Sequence, residues 1–500
     1  MNGSDRAKTR QSLDFRIVAP RAARATCTGA RPSHPAHPML TGPLTIAPLP
    51  RPTGEIVWHV PGSKSITNRA YVLAALSQDT VLHNVLESDD TLRMRECLDG
   101  FGVAVESLSG HRVRILGGRQ RLKVPTRSLF VGNSGTTVRF LAGLAALIPG
   151  ATTFTGDQHM AKRPIADLVD GLRQLGLTVE CPTGCPPLTI HGGPITGARV
   201  TMNGEKSSQY FTALLLAAGM FDVDLDITVE GTLVSRPYID MTIAMVQTFG
   251  GKIDATTHHF HVHGRRTYGI HGDKTLVKTE PSYAVEPDAS SASYPFALAA
   301  ALGFAVTVNG LDQHSLQGDI GFVEVLKLMG ATVTQGRLAT SAGQVGVPFT
   351  RVASDKPLRG VDVDMHHISD TVMTLAAIAP LCEGPTTIRN VANIRIKETD
   401  RLIATVNELR RVGQHVEHGD DWLRITPRPL KPATIECYSD HRMAMSFAIL
   451  AAAARDHHWD STVPASQRTI RIADPACTAK TYPGFWDDLS LLNVRCHSDV

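Results

Sequence analysis

The most regular feature of the chain is a short polar cluster followed by an apolar run rich in Ala and Leu, and this pattern occurs six times. Because the runs are apolar on nearly every side, we expect them to form buried helices. Successive markers near the starts of these runs lie 70 to 82 residues apart: Lys64, Ser134, Ser207, Ala289, Asp370 and Asp440. A spacing of this size indicates repeated supersecondary units.

A second predicted helix follows in each unit and usually ends at a glycine before a valine-rich, alternating run. The glycines that suit the position just after such a helix are Gly102, Gly176, Gly250, Gly330 and Gly413. The alternation after them predicts strands. We therefore predict an α/β fold of six strand–helix–strand–helix–strand–strand units, grouped as two domains of three units.

The polar clusters fall where the buried helices begin. The first N–H groups of a helix have no partner inside the helix. Ser, Thr, Asn and Asp side chains can cap these groups, and the positive end of the helix attracts anions. If every unit points its helix starts the same way, the two domains direct a set of positive ends at one cleft.

Cations also gather at the predicted helix entrances, although the chain after residue 50 is slightly acidic overall. They are Lys64, Arg69, Arg139, Arg163, Lys397, Arg401, Arg442 and Lys480. The helix dipole disfavours positive charge at this end. Bound phosphates and carboxylates would remove the conflict, since Arg suits bidentate recognition of such anions and Lys acts as a point charge.

Two carboxylates, Asp370 and Glu398, stand among these cations. The residues leave two roles open for them: helix capping with ion pairing, or general acid/base work in a closed site. The stretch "NIRIKETDRL" predicts a helix that carries Lys397 and Arg401 one turn apart on one face. The pairs Arg163-Pro164 and Arg236-Pro237 predict proline at a first helical position.

Composition excludes several classes of function. The chain has 500 residues and a net charge of +3, but its first 50 residues hold seven Lys and Arg against two Asp. No basic tract with interleaved aromatic residues follows, which argues against nucleic-acid binding. No apolar stretch reaches the ~18 residues of a membrane span. We interpret residues 1–45 as a disordered basic extension, either a dispensable tail or an organelle-targeting segment.

Neither the cysteines nor the histidines predict a metal site. The eight cysteines are scattered, which favours free thiols in a reducing compartment. Cys181 and Cys185 flank a Pro/Gly turn without a second pair at zinc-site spacing. The run from His258 to His263 alternates with apolar residues and predicts an exposed strand.

Motifs along the chain resemble those of the 5-enolpyruvylshikimate-3-phosphate (EPSP) synthase family. In order they are "PGSKSITNRA", "GNSGTTVRF", "KRPI", "KSSQY", "SRPYID", "PDASSASY", "GDIGF", "SDTVMT", "NIRIKETDRL", "SDHRMAM" and "AKTYPGFW". The resemblance implies two domains, each of three βαβαββ units, in an inside-out α/β barrel arrangement with the active site in the interdomain cleft. It places one domain at 63–285 and the other at 46–62 and 286–500.

The resemblance also implies an activity. Members of this family move the carboxyvinyl group of phosphoenolpyruvate to the 5-hydroxyl of shikimate 3-phosphate by addition and elimination through a tetrahedral intermediate, on the shikimate pathway to chorismate and the aromatic amino acids. Phosphate is released, and neither a metal nor an organic cofactor is needed. We expect these two small molecules as the only partners, a monomer, and a cytoplasmic enzyme, with organelle targeting by the N-terminal extension left open.

The family's site residues carry over motif by motif. The residues implied for shikimate 3-phosphate are Lys64, Ser65, Arg69, Ser207, Ser208, Gln209, Ser235, Tyr238, Asp370, Asn393 and Lys397. Those implied for phosphoenolpyruvate are Lys64, Asn133, Gly135, Arg163, Gln209, Arg401, Arg442 and Lys480. Asp370 is expected to accept the 5-hydroxyl proton. Glu398 and Lys64 are the two candidates for protonating the methylene carbon, with His441 nearby.

Two positions bear on this interpretation. His159 stands where some family members have Arg. Gly135 resembles the glyphosate-sensitive type, so we expect glyphosate to compete with phosphoenolpyruvate.

Three alternative functions also bear on this interpretation. The first is that of the sister enzyme that acts on UDP-N-acetylglucosamine, whose pattern has Lys-Asn where Lys64-Ser65 stand. The others are a non-catalytic anion-binding protein on the same scaffold and one module of a multi-enzyme polypeptide, over which we favour a separate enzyme.

Overall fold

The computed structural model describes residues 42–270, 280–339, 346–492 and 496–498. Over these residues the chain forms twelve α-helices: α1 (Lys64–Leu76), α2 (Asp89–Gly100), α3 (Gly135–Ala146), α4 (Ala166–Gln174), α5 (Ser208–Ala218), α6 (Arg236–Thr248), α7 (Ala289–Leu302), α8 (Phe322–Met329), α9 (Val372–Ile378), α10 (Arg401–Arg411), α11 (His441–Ala453) and α12 (Phe485–Ser490).

The same described residues form 24 strands. In the first half of the chain they are β1 (Leu44–Ile46), β2 (Glu55–Val57), β3 (Thr80–His83), β4 (Ala104–Leu108), β5 (Arg112–Leu116), β6 (Leu129–Phe130), β7 (Gly150–Thr155), β8 (Thr178–Glu180), β9 (Leu188–Gly192), β10 (Arg199–Asn203), β11 (Leu225–Glu230), β12 (Ile253–Ala255) and β13 (His259–Val262). In the second half they are β14 (Ser282–Ala284), β15 (Ala305–Asn309), β16 (Thr332–Arg337), β17 (Pro348–Ala353), β18 (Asp362–Asp364), β19 (Thr386–Arg389), β20 (His415–His418), β21 (Leu423–Thr426), β22 (Ala433–Ile435), β23 (Ile470–Ile472) and β24 (Cys496–Ser498).

The strands pair into six four-stranded sheets that share one plan. We number the sheets in chain order. In the second sheet, β6 runs parallel to β7, β7 is antiparallel to β9, and β9 is antiparallel to β8. The units around β7, β11 and β19 are continuous in sequence and confirm the predicted strand–helix–strand–helix–strand–strand order. Below, the first triplet means the sheets that contain β3, β7 and β11, and the second triplet those that contain β15, β19 and β23.

The two triplets exchange strands. β2 precedes α1 in sequence but pairs with β15 of the second triplet, with Val57 opposite Thr307. β14 precedes α7 but pairs with β3 of the first triplet, with Tyr283 opposite Leu82. The chain therefore passes twice between the triplets, and each passage is held by a parallel strand pair.

The sixth sheet joins the two ends of the described chain. Its order is β22-β23-β1-β24, so β1 and β24 complete a unit begun by β22 and β23. β1 starts at Leu44, inside the segment 1–45 that the sequence analysis assigns to a disordered extension, and the extension boundary is therefore too late. Leu44 and Ile46 are buried, but a three-residue alternation is too short to stand out in the sequence. Residues 1–41 lie outside the described residues.

Buried apolar side chains form two clusters, one for each triplet. The first cluster runs from Ile66 to Val285. The second combines Leu44 to Trp58 with Ala289 to Leu492. The Ala-rich first helices lie inside these clusters as predicted: all 13 residues of α11 are buried. The finer domain boundaries at 63–285 and at 46–62 with 286–500 stay a prediction.

Two local features differ from the sequence expectation. Lys397 and Arg401 do not share a helix, because the backbone breaks at Lys397 and Asp400 caps α10. Pro164 lies outside α4, which is capped at Ile165, whereas Pro237 does fall in the first turn of α6.

The histidine run forms strand β13, as predicted, but the strand is not an exposed one: it lies between β11 and β12, and its Phe260 and Val262 side chains are buried. Asp370 precedes α9 within a short 3-10 turn, His366–Thr371. None of the described helices is both long and apolar enough to cross a membrane.

Candidate active site

A cavity lies where the two triplets meet, and the first turns of α1, α3, α5, α7 and α11 contribute to its lining. The predicted site residues that line it are Lys64, Ser65, Arg69, Gly135, Arg163, Ser207, Ser208, Gln209, Ser235, Tyr238, Asp370, Asn393, Lys397, Glu398, Arg401, His441 and Arg442. The two others, Asn133 and Lys480, adjoin it and bond to each other, with Lys480 Nζ 2.8 Å from the Asn133 carbonyl oxygen. The starts of five of the six Ala-rich first helices thus face one space, as the sequence predicts, and the sixth, α9, is represented by Asp370 just before it. The first turns of α2, α6 and α10 also line the cavity.

Asp370 is the carboxylate most heavily surrounded by positive charge. Arg442 donates from Nη2 to its Oδ2 at 2.8 Å, and Arg401 donates from Nη1 to its Oδ1 at 3.2 Å. Lys397 Nζ lies 3.6 Å from the same Oδ1. Burial acts to raise the pKa of Asp370, but these three cations outweigh it and hold the pKa well below its usual range. Asp370 is therefore ionised and can accept a proton.

Arg401 organises the carboxylates around it. It is 2% exposed and binds Asp440 through Nε at 2.7 Å and Glu398 through Nη2 at 2.7 Å. Burial acts to lower the pKa of Arg401, but its carboxylate partners raise it above the ordinary value. The pKa of Glu398 is well below its usual range, because Arg401 and Arg163 outweigh the effect of burial. Glu398 is therefore ionised as well.

A buried carboxylate, Asp90 at the start of α2, joins two lysines from opposite triplets. Lys64 Nζ lies 3.1 Å from its Oδ2, and Lys480 Nζ lies 3.2 Å from its Oδ1. Burial acts to raise the pKa of Asp90, but Lys480 and Lys64 lower it below the ordinary value. This three-residue bridge spans the cleft and fixes both ammonium groups beside the cavity.

Arg163 sits behind the glycine at the start of α3. Its Nη1 donates to the carbonyl and side-chain oxygens of Asn133, both at 3.2 Å, and lies 3.9 Å from Glu398 Oε1. A Cβ atom on Gly135 would lie 2.8 Å from the guanidinium carbon of Arg163 and 2.9 Å from Arg139 Nη1. Only glycine lets the start of α3 approach this pair of arginines without displacing them.

Two further arginines of the first triplet are bound by neutral groups. Arg69 is 2% exposed and donates to Thr242, Thr212 and the carbonyls of Ser65 and Tyr238. A guanidinium has five N–H groups, so one remains for a ligand. Burial lowers the pKa of Arg69 to about 10.

Arg139 is held in the same way. It donates to the Gln209 side chain at 2.6 Å and to the Pro164 carbonyl at 3.2 Å. Burial lowers the pKa of Arg139 to about 10. By binding Gln209, Arg139 fixes the orientation of a side chain that lines the cavity.

The third unit supplies Ser235 and Tyr238. Ser235 adopts a left-handed backbone, φ 53°, which is uncommon for a residue with a side chain and is typical of functional sites. Asn393 of the second triplet donates to its hydroxyl at 3.1 Å. The Tyr238 hydroxyl lies 3.3 Å from Asp370 Oδ2 and 3.1 Å from Asp319 Oδ2, so its single hydrogen can be donated to either of two acids of the second triplet.

Several buried polar atoms at this cavity have no hydrogen-bond partner among the described residues. They are Arg163 Nε, Arg442 Nε, Asn393 Oδ1 and both ring nitrogens of His441. His441 is 1% exposed, and burial with nearby Lys64 and Arg442 holds its pKa well below the ordinary value, so the ring is neutral. Unsatisfied buried groups cost about 1–3 kcal/mol each, which a polar ligand in the cavity would recover.

The family model described as EPSP synthase (3-phosphoshikimate 1-carboxyvinyltransferase) matches residues 49–489. The chain belongs to the EPSP synthase family. The 3-phosphoshikimate 1-carboxyvinyltransferases of Klebsiella pneumoniae and Salmonella arizonae are each 42% identical to it, over 461 and 463 residues, which is 90% of this chain and 99% of theirs. The resemblance inferred from the motifs is confirmed.

Solved structures of the EPSP synthase family and of a related transferase show the same fold. An EPSP synthase structure from Acinetobacter baumannii has a TM-score of 0.72 at 24% identity, covering 90% of this chain and 98% of that one. The enolpyruvyl transferase NikO from Streptomyces tendae has a TM-score of 0.65 at 16% identity, covering 91% and 98%. These likenesses confirm the predicted α/β fold of two groups of units.

For this EPSP synthase family member, sequence reasoning missed three buried acids at the site. Asp90 looks in the sequence like an ordinary acidic residue at a helix start, where the dipole favours it. Asp319 lies in the motif "GDIGF" and carried no assigned role. Asp440 served only as a repeat marker, whereas in the structure it caps α11 and binds Arg401. A buried acid among several cations was the only available signal, and burial is not visible in one sequence.

Proposed function

We propose that this protein transfers the carboxyvinyl group of phosphoenolpyruvate to the 5-hydroxyl of shikimate 3-phosphate. In the addition step the hydroxyl oxygen bonds to C2 of phosphoenolpyruvate, the hydroxyl loses its proton, and C3 gains one. In the elimination step the C2–phosphate bond breaks and C3 loses a proton. The products are 5-enolpyruvylshikimate 3-phosphate and inorganic phosphate, so atoms and charge balance.

The observation that carries the proposal is the excess of positive charge around a buried cavity. Nine cations lie in or against it: Lys64, Arg69, Arg139, Arg163, Lys206, Lys397, Arg401, Arg442 and Lys480. The carboxylates among them are Asp90, Asp288, Asp370, Glu398 and Asp440. The surplus suits two substrates that each carry a phosphate and a carboxylate, whose mutual repulsion opposes their approach in water.

In the proposed binding mode each triplet contributes to both substrates. Shikimate 3-phosphate is held by the first turns of α1 and α5 together with Ser235, Tyr238, Asn393 and Lys397. Phosphoenolpyruvate lies against Gly135 and the cations Arg163, Arg401, Arg442 and Lys480. Holding the hydroxyl beside the enol carbon contributes up to about 7–11 kcal/mol in well-oriented systems.

Asp370 serves as the base that accepts the 5-hydroxyl proton. In the ligand-free protein its cations make it a weak base, because they hold its pKa far down. Substrate phosphates and carboxylates compete for Arg442, Arg401 and Lys397. Each cation drawn toward substrate relieves Asp370 of a favourable charge and raises its pKa, so binding itself strengthens the base.

Lys64 fits the role of proton donor to the methylene carbon better than Glu398. Glu398 is ionised in the ligand-free protein and has no proton to give. Lys64 is oriented by Asp90, whose Oδ2 lies 3.1 Å from Nζ, and it serves as the donor in this proposal. After the addition it is left as the amine, which can take the proton back from the methyl group during the elimination. Glu398 then acts as the anion that keeps Arg401 and Arg163 in place.

As part of the same proposal, the enzyme is a cytoplasmic monomer and its only partners are its two substrates. The residues that line the cavity all belong to one chain, so the proposal needs no second copy to complete the site. Light scattering on a size-exclusion column should give the mass of one chain. A stable mass of two chains would overturn this part without affecting the activity.

The experiment that tests the activity is phosphate release by the full chain with shikimate 3-phosphate and phosphoenolpyruvate, followed by mass spectrometry of the product. A parallel reaction offers UDP-N-acetylglucosamine as the acceptor. Release only with shikimate 3-phosphate supports the proposal. Release only with the nucleotide sugar would favour the sister activity, and tight binding of both substrates without release would favour the non-catalytic anion-binding alternative.

A further inference from the structure

The outer face of the third sheet carries a cluster of histidines and aspartates away from the catalytic cavity. His259 and His261 fall on one face of β13 because side chains alternate along a strand, and His263 follows directly after the strand. Asp226 on β11 and Asp254 on β12 stand opposite His261 in the sheet register. Asp224 precedes β11, and the Gly264 N–H donates to its Oδ1 at 2.9 Å. None of these residues belongs to the lining of the cavity described above.

We propose that Asp224, His261 and His263 form a binding site for a divalent transition-metal ion of the zinc class. One ligand atom from each of the three lies within 4.8 Å of the other two. Two imidazoles and one carboxylate form a donor set that zinc accepts, leaving a fourth position for water. Imidazole nitrogen also selects against magnesium and calcium, which prefer oxygen.

The hydrogen bonds orient the rings as metal-binding histidines are usually oriented. Nδ1 of His261 lies 2.9 Å from Asp226 Oδ1, so this nitrogen donates its hydrogen and leaves Nε2 as the free lone pair. That Nε2 lies 3.7 Å from Asp224 Oδ2. His263 is held by Asp254, with Nε2 2.7 Å from Oδ2, which leaves Nδ1 as its second nitrogen. A carboxylate behind each ligating imidazole fixes the ring and strengthens it as a donor.

Charge and access favour a cation at this face. Asp224, Asp226 and Asp254 outnumber two cations of this region, Lys252, whose Nζ lies 3.9 Å from Asp254 Oδ2, and Arg199, which stands opposite Asp226 in the sheet register. The side chains of His261 and His263 are 31% and 23% exposed, so an ion can reach them without unfolding the sheet. Their rings stand 4.7 Å apart at 88°, a separation that small side-chain rotations can close onto one ion.

The test is titration of the full chain, made without a histidine tag, with zinc chloride in an isothermal calorimeter. The wild type should bind one equivalent more tightly than a His261→Asn, His263→Asn double variant, by at least tenfold. The matched control is His191→Asn, which removes an exposed histidine whose Nε2 lies 2.8 Å from Glu180 in the second sheet, and it should bind as the wild type does. Unchanged phosphate release by the double variant shows that it is folded.

Cobalt(II) provides the second readout, because its absorption spectrum reports the ligands. The wild type should give visible bands of nitrogen and oxygen ligation, and a large excess of magnesium should not remove them. Equal zinc affinity in the wild type and the double variant would overturn the proposal. A thiolate-to-cobalt charge-transfer band would overturn it too, since it would assign the ion to cysteine.

Discussion

The two triplets hold their buried arginines in opposite ways. In the first triplet, Arg69 and Arg139 are bound by hydroxyls, carbonyls and one amide, and burial lowers the pKa of each to about 10. In the second triplet, Arg401 and Arg442 are bound by carboxylates, which raise their pKa above the ordinary value. All four arginines are 7% exposed or less, so burial alone does not separate the two groups.

This difference indicates how the work is divided between the triplets. A buried arginine without a carboxylate leaves its positive charge uncompensated, and an anionic ligand gains the full interaction. A buried arginine paired with an acid instead keeps that acid ionised. We infer that the first triplet mainly attracts substrate, whereas the second triplet mainly sets the charge of Asp370 and Glu398. Because the two triplets are built from similar repeats, this difference in role depends on a few side chains at the helix starts.

Removing the central acid of the second triplet should give the largest effect. Asp370→Asn keeps the shape of the side chain but removes the base, so we expect kcat to fall by roughly 10²–10⁴-fold. The affinity for shikimate 3-phosphate should hold or increase, because Arg442 and Lys397 lose a competing anion. Phosphate release and calorimetric binding measure the two quantities. The matched control is Asp362→Asn, an exposed acid paired with Arg389, which should leave both unchanged; a loss of binding without a loss of kcat would reverse the proposed division.

In the first triplet Arg69 and Arg139 are bound by neutral groups, but Asp90 is a buried carboxylate that pairs with cations. Removing Asp90 therefore sharpens the comparison. Asp90→Asn leaves Lys64 and Lys480 buried without a counter-ion, and breaking a buried pair in this way costs about 3–5 kcal/mol. We expect a lower melting temperature for the ligand-free variant, and partial recovery when phosphate or shikimate 3-phosphate supplies the missing charge. The neighbouring exposed residue provides the control, Asp89→Asn, which should melt as the wild type does. Equal melting of both variants would mean that Asp90 is a solvated acid.

The pKa of Asp319 reports how far the influence of the cations around Asp370 extends within the second triplet. Burial raises the pKa of its carboxyl to about 6 from 3.8, and the nearby charge of Asp370 adds to the effect. Between pH 4 and 6 the folded chain therefore holds a proton there that the unfolded chain has lost. This contribution to stability is fully present below pH 4 and is lost as the pH rises through 6.

An Asp319→Asn variant mimics the protonated acid at every pH. Its stability relative to the wild type should therefore grow between pH 4 and pH 7.5, by at most about 3 kcal/mol, since one pKa unit is worth about 1.4 kcal/mol. Melting temperatures of both proteins across this range measure the difference. A difference that does not change with pH would show that the cations around Asp370 reach Asp319 as well and keep it ionised.

The sequence was sufficient to predict the six units and the meeting of their helix starts, because both follow from local signals. Apolar runs, glycine stops and capping residues are adjacent in the chain, and Lys64 and Arg442 lie in the first turns of α1 and α11. The exchange of β2 and β14 between triplets leaves no such signal, since either strand could pair with either sheet. The same holds for the sixth sheet, which joins strands from opposite ends of the chain.

From the residues alone, the site could be predicted only where a side chain's position is set by residues close to it in sequence. Lys397 and Arg401 do meet at Asp370, but through a backbone break and a new cap, not through a shared helix face. Asp90 contacts Lys480 across the cleft, a pairing that only the folded chain creates. The resemblance to a family supplied the remaining residues, and the structure adds which of them are ionised.

The smallest expected effect concerns Gly135. Here the position of a cation of the first triplet, Arg163, depends on its packing against the start of α3. In Gly135→Ala the added methyl would lie 2.8 Å from Arg163, so the guanidinium must move away from phosphoenolpyruvate. Overpacking of this kind costs about 1–3 kcal/mol, and we expect the KM for phosphoenolpyruvate to rise roughly tenfold while the KM for shikimate 3-phosphate changes little. Glyphosate, which we expect to compete with phosphoenolpyruvate, should inhibit the variant less than the wild type. Gly193→Ala, where the methyl meets open space, is the control. Unchanged KM and unchanged inhibition in Gly135→Ala would mean that Arg163 has room to move without consequence, and that its position is not set by the start of α3.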